Sequence, residues 1–252
     1  MKSQRVASLF CFCILTAAFL TFVSAYTYAD GVKYEREAQT LNDLGLYKGI
    51  SVENFNPDLG SALNRETGIV MLIRLFGLET AAASITNADE ILSKFGDAGK
   101  ISGWAKNAVA YAVQNGLVVG YPDGTVGAKQ PLNGKDYCSL ILRQLGYAPN
   151  YFQAPAELAA KGGISPDKIQ LYSNKDLIKD DLVGISYGCL KADDTEGTSV
   201  LENLVALGVV DNTRVETIIS NLPDLRPALT VPILTPSVPP TPTVSPSGSG
   251  HS

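Results

Sequence analysis

The residue types that do chemistry are sparse in this chain of 252 residues, and their spacing argues against catalysis. The single histidine, His251, is the penultimate residue, which leaves no imidazole for a Ser-His-Asp or Cys-His arrangement. Asp180 and Asp181 are adjacent, so on a helix their carboxylates diverge and cannot flank one glycosidic bond as an acid/base pair. No cluster of Cys and His has zinc-ligand spacing, and no glycine-rich turn follows a strand to cradle a phosphate. The reading is therefore a non-enzyme with no cofactor and no metal site. The side chains left to recognise a partner are scattered cations and aromatics.

The termini place the chain. Lys2 and Arg5 precede an almost wholly apolar run from Val6 to Val23, and Val23-Ser24-Ala25 offers small residues for cleavage. Residues 1–25 read as a secretory signal peptide; a retained membrane anchor is the alternative reading of the same run. Cleavage would remove Lys2 and Arg5 from a chain of 20 basic and 25 acidic residues, widening the excess of acid. An acidic chain without basic runs is a poor partner for nucleic acid or for an anionic membrane surface. Cys138 and Cys189 could pair outside the cytoplasm, but each sits in an apolar helical pattern, which favours two buried free thiols. Residues 221–252 are rich in Pro, Thr and Ser, a composition that cannot bury a core and reads as a disordered linker or tail.

Between these ends one pattern recurs: a small apolar helix closed by glycine, a loop, then a capped second helix. It spans Leu41–Gly77, Trp104–Gly146 and, more weakly, Glu157–Leu190, with Gly45, Gly116 and Gly163 closing the first helices. In the middle copy Ser102 is placed to cap the first helix, with Trp104, Ala108, Val109, Ala112 and Val113 on one face. Asn115-Gly116 then supplies a left-handed stop. The second helices carry stripes at helical spacing: Ile69, Leu72, Ile73 and Phe76; Cys138, Ile141, Leu142 and Leu145; Leu182, Ile185 and Cys189. Asn64 and Asn133 are their expected caps, with Asp136 completing a near capping box. Ser199–Asp211 adds one short helix ending at Gly208. The predicted fold class is all-α. One helix pair is too small to hold a core, so three copies should close on one another in a pseudo-threefold bundle with loops at the clefts. The expected divisions are 26–94, 95–150 and 151–220, the last with the closing helix.

The stretch "FGDAGKISGWAKNAVAYAVQNGLVVGYPDGTVGAKQPLNGKDYCSLILRQLGY" (residues 95–147), together with "LNRETGIVMLIRLFG" (63–77), resembles the S-layer homology domain family. The resemblance implies a noncatalytic module at the cell wall or S-layer of a Gram-positive-type envelope. It also implies grooves between three units that hold secondary cell-wall polysaccharide, often by a pyruvate-bearing terminal sugar. Other surface proteins are further possible partners, and a surface-lattice, protein-docking or peptidoglycan-binding role is the alternative. In that family the arginine of a Leu-Thr-Arg-Ala-Glu motif contacts the anion, and a guanidinium fork suits a carboxylate. Arg65 holds this position in the first copy; Gly134, with Lys135 beside it, holds it in the second, and Lys179 in the third. The resemblance gives Trp104 a place lining the sugar groove, against simple core packing. It gives Asp123 a sugar hydroxyl to accept and Gly124 the turn, against turn formation alone. Tyr121 either stacks on a sugar or covers that turn.

Overall fold

The computed structural model describes residues 32–51 and 53–221. The expected signal peptide and nearly all of the Pro/Thr/Ser tail lie outside the described residues. Among the described residues eleven α-helices follow in order: α1 (Glu35–Asp43), α2 (Arg65–Leu75), α3 (Glu79–Ala83), α4 (Ala88–Leu92), α5 (Lys106–Gln114), α6 (Gly134–Gln144), α7 (Ala154–Ala160), α8 (Ile169–Tyr172), α9 (Lys179–Cys189), α10 (Val200–Ala206) and α11 (Asn212–Asn221). Pairing of extended backbone among the described residues is confined to isolated bridges, so the all-α expectation holds.

The helices α2, α6 and α9 are each 11 residues long and start in the same way. Each follows an extended residue, Asn64, Asn133 or Ile178, with ψ of 167°, 165° and 170°. Asn64 Oδ1 accepts from the Thr67 amide at 3.0 Å, and Asn133 Oδ1 from the Asp136 amide at 2.9 Å. These are the two caps that the sequence predicts. Ile178 has no oxygen to offer; there the Asp181 carboxylate reaches back to the Ile178 amide at 3.1 Å.

Other first-turn amides, which lack partners within a helix, donate to carbonyls of the segment that leads into a neighbouring helix. Arg65 and Glu66 donate to the carbonyls of Gln130 and Ala128, at 2.9 and 3.0 Å. Gly134 donates to Lys175 O at 3.2 Å, and Lys179 and Asp180 donate to Ser61 O and Leu59 O, both at 2.9 Å. Bridges Asn64–Pro131, Asn133–Asp176 and Ala62–Ile178 join the three approach segments in a closed ring. Leu63, Leu132 and Leu177 are buried within it. Below, Ile69, Leu72, Ile73, Cys138, Ile141, Leu142, Leu182, Ile185 and Cys189 are all buried, as their spacing requires.

Three local expectations fail. Ser102 does not cap α5, which begins at Lys106 behind Ala105; its amide and hydroxyl go instead to Glu66. A buried carboxylate is the stronger acceptor, and it pulls Ser102 off the helix axis. The first helix of the third copy ends at Gly162 (φ 81°), one residue before the glycine expected. The short helices α3, α4 and α8 and the 10-residue α11 lie outside the recurring pattern. Cys138 and Cys189 are buried free thiols.

Candidate functional site

The seam between the starts of α2 and α6 gathers the most chemistry. Arg65, at the first position of α2, is 4% exposed and lies beside Asp136 of α6, with Nη1 to Oδ1 at 2.8 Å. Asp136 also accepts from Asn133 Nδ2 at 2.8 Å and from the Tyr121 hydroxyl at 3.3 Å. The guanidinium carbon lies 4.9 Å from the centre of the Tyr121 ring, within cation–π range. Nη1 meets Asp136 as an ion pair without an aligned hydrogen bond, and Nε is buried and has no acceptor. Burial, opposed in part by Arg65, pushes the Tyr121 hydroxyl up to about 12, so it stays a neutral donor. Arg143 nearby is held below the usual guanidinium range, first by burial and then by the charge of Arg65.

The loop opening at Gly120 delivers Tyr121 to this place. Tyr121 and Thr125 pair across the Pro122-Asp123-Gly124 turn, and Asp123 Oδ1 accepts from the Thr125 amide and hydroxyl at 3.0 and 2.7 Å. Gly124 (φ 78°) closes the turn, and its carbonyl accepts from the Gly96 amide. Asp97, buried, accepts from the amides of Val126 and Gly127 at 2.7 and 2.9 Å. Gly127 has φ 71°, and a Cβ there would lie 2.4 Å from Tyr121 Cε2. The ring lies over Arg65 because this one position has no side chain.

The expected site residues divide accordingly. Arg65 and Tyr121 share the seam, and Lys135 borders it. The Lys135 Nζ donates to Ser173 O at 2.9 Å and lies 5.8 Å from the centre of the Tyr151 ring. The Tyr151 hydroxyl meets Asn133 Nδ2 at 3.3 Å. Trp104 is 62% exposed, which removes the core-packing alternative; its loop is anchored through Ser102 to Glu66. Lys129 donates to both Glu66 Oε1 and Ser102 Oγ. Burial works to raise the Glu66 pKa, but Lys129 and Ser102 outweigh it and hold the group below its ordinary value. Asp123 and Gly124 form the turn. Lys179 lies at a different seam, paired with Asp58, whose carboxyl it holds low.

The first-turn position of α6 cannot hold any side chain: a Cβ on Gly134 would sit 2.1 Å from the Tyr172 carbonyl oxygen. Among the residues absent from the sequence expectation, Asp136 and Asn133 were visible only as a capping pair. Asp97 sits in the quoted "FGD" without a role assigned, and Tyr151 has no local signal at all. Arg65 itself differs from an open fork: the charge is enclosed and has a counter-ion, because an isolated guanidinium could not be buried here.

Among the described residues no helix is long and apolar enough to cross a membrane, and no group of three or more His, Cys, Asp or Glu could hold a metal. No curated protein matches the chain. A family match covers the middle copy as far as the first turn or so of α6, including Trp104, Tyr121, Asp123, Gly124, Lys135 and Asp136, and does not extend to Arg65 or Lys179. Residues 94–138 match the S-layer homology domain, so this part of the chain is similar to a noncatalytic cell-surface module that binds cell-wall components.

Proposed function

We propose that the chain anchors at the cell surface by holding a secondary cell-wall polysaccharide, through an acidic sugar of pyruvylated type, in the Arg65 seam. The observation that carries this reading is the buried Arg65 guanidinium, whose Nε has no acceptor, placed against the stretch that matches the S-layer homology domain. A buried donor without an acceptor costs about 1–3 kcal/mol, and a carboxylate brought to the Nε edge would recover that cost. Entry requires the Tyr121 ring to lift. Lys135 supplies a second positive charge at the rim, and Trp104 offers an exposed stacking face on an anchored loop. Asp123 and Gly124 act by shaping the turn that delivers Tyr121, and Lys179 serves the seam it shares with Asp58. The ring joining the starts of α2, α6 and α9 supports the reading of three units, of which the outer two have diverged further.

The full chain should sediment with purified Gram-positive walls that retain their secondary polymer and remain in solution once that polymer is extracted. Arg65→Lys keeps the charge but loses the planar fork, and should weaken wall binding about tenfold. Trp104 is the sole tryptophan, so a blue shift of its emission on adding a pyruvylated disaccharide reports its burial under sugar. Sedimentation indifferent to extraction would instead favour peptidoglycan or a protein lattice.

A further inference from the structure

The seam does not stop at Lys135. Tyr121 reaches Asp136, Asp136 reaches Asn133, and Asn133 reaches the Tyr151 hydroxyl, through contacts of 3.3, 2.8 and 3.3 Å. Tyr151 then meets Phe152 edge-on, with ring centres 5.3 Å apart. Phe152 is 77% exposed, the most exposed of the large apolar side chains among the described residues. The turn that carries it is firmly built. Asn150 Oδ1 accepts from the Phe152 amide at 3.0 Å, the Gln153 amide returns to Asn150 O at 3.0 Å, and Glu157 Oε1 accepts from the Asn150 amide. Above the Tyr151 ring lies Lys135 Nζ, with one of its three donors used by Ser173 O.

A rigid apolar ring in water, joined to a line of hydroxyl, amide and carboxylate groups and flanked by an ammonium, fits one ligand chemistry. A sugar ring has an apolar C–H face to lay on Phe152 and a hydroxyl edge for Asn133 and Tyr151, and an acidic substituent complements Lys135. We propose that Tyr151 and Phe152 form a second sugar subsite, so that the seam reads at least two consecutive units of one glycan rather than a terminal sugar alone. This rests on the anchoring reading above and sets the length of glycan that the seam recognises.

The test is calorimetry of the full chain with a pyruvylated monosaccharide and with a disaccharide carrying the same terminal sugar. The wild type should bind the disaccharide about tenfold more tightly, an increment expected of one further stacked ring. Phe152→Ala removes an exposed side chain and should bring that ratio to about one; Tyr151→Phe should lower it by a smaller factor. Equal affinity of the wild type for both probes overturns the subsite and leaves the anchoring reading standing. A ratio unchanged by Phe152→Ala does the same. Binding of neither probe by the wild type overturns both.

Discussion

The Arg65–Asp136 pair permits a quantitative test. Both side chains are 5% exposed, so removing one strands the other away from water. Breaking a buried pair from one side costs about 3–5 kcal/mol. In Arg65→Met two features reduce that figure. Asn133 and Tyr121 still donate to Asp136, and the variant discards the buried Nε donor that has no acceptor. Methionine also keeps the apolar stem of the arginine. The expected net loss is about 2 kcal/mol. Asp136→Asn preserves the shape at the start of α6 and strands the guanidinium instead, for a similar loss. The double variant buries no charge in the seam and should return to within about 1 kcal/mol of wild type, as replaced buried pairs do. Additive losses would reach about 4 kcal/mol, so the cycle should give a coupling near 3 kcal/mol.

Urea unfolding followed by circular dichroism reads this directly. With a slope of about 2 kcal/mol per molar, each single variant lowers the midpoint by about 1 M at unchanged slope. Two outcomes refute the reasoning. One is an Arg65→Met midpoint within about 0.2 M of wild type. The other is a double variant as unstable as the two singles added together. Either would mean that Arg65 and Asp136 are separately hydrated rather than joined in a dry seam.

Three further outcomes follow from the same contacts. Gly134→Ala, a change that favours most helices by up to about 1 kcal/mol, should cost at least about 2 kcal/mol here because its Cβ meets the Tyr172 carbonyl, whereas Gly99→Ala meets open space and serves as the thermal-melt control. Glu66 and Asp58 are held below their ordinary values, so the unfolded chain binds more protons than the folded one. The stability these carboxylates contribute is complete above about pH 5 and is lost as pH falls through their lowered folded values. Glu66→Gln should therefore flatten the decline of stability with acid below about pH 4, and an unchanged slope would exclude Glu66 from it. Burial pushes both the Cys138 and Cys189 thiols up. Neither should react with an aromatic disulfide reagent in the native protein at pH 8, both should do so in denaturant, and native labelling would contradict their burial.

Much of the helical core was legible because it is a local matter. The spacing of Ile69, Leu72 and Ile73, the Asn64 and Asn133 caps and the stops at Gly77 and Gly116 each depend on neighbours within a turn or two. The ring was not legible, since its hydrogen bonds join Arg65 to Gln130, Gly134 to Lys175 and Lys179 to Ser61 through backbone groups that have no side-chain signature. The same reason hid the state of Arg65. Its identity and position could be read, but its enclosure depends on Asp136 and Tyr121, which only the closed ring brings to it. Ser102 shows the opposite failure: a good local cap was outbid by a carboxylate remote in sequence. Tyr151 and Phe152 sit on a turn whose place beside Asn133 no periodicity predicts.

The ring also explains how three different residues can stand at the corresponding first-turn positions of α2, α6 and α9. What closes each seam is a main-chain amide at the first turn of α2, α6 or α9 donating to a neighbour's carbonyl, and any residue except proline supplies that amide. The side chain at that position is therefore released from a structural duty and takes whatever the local space permits. At Arg65 there is room for a guanidinium provided that Asp136 neutralises it; at Lys179 Asp58 performs the same service; at Gly134 the approach of Tyr172 leaves no room even for a methyl group. A cation at this position is therefore not required to close a seam, since at Gly134 the backbone contact to Lys175 is made without one.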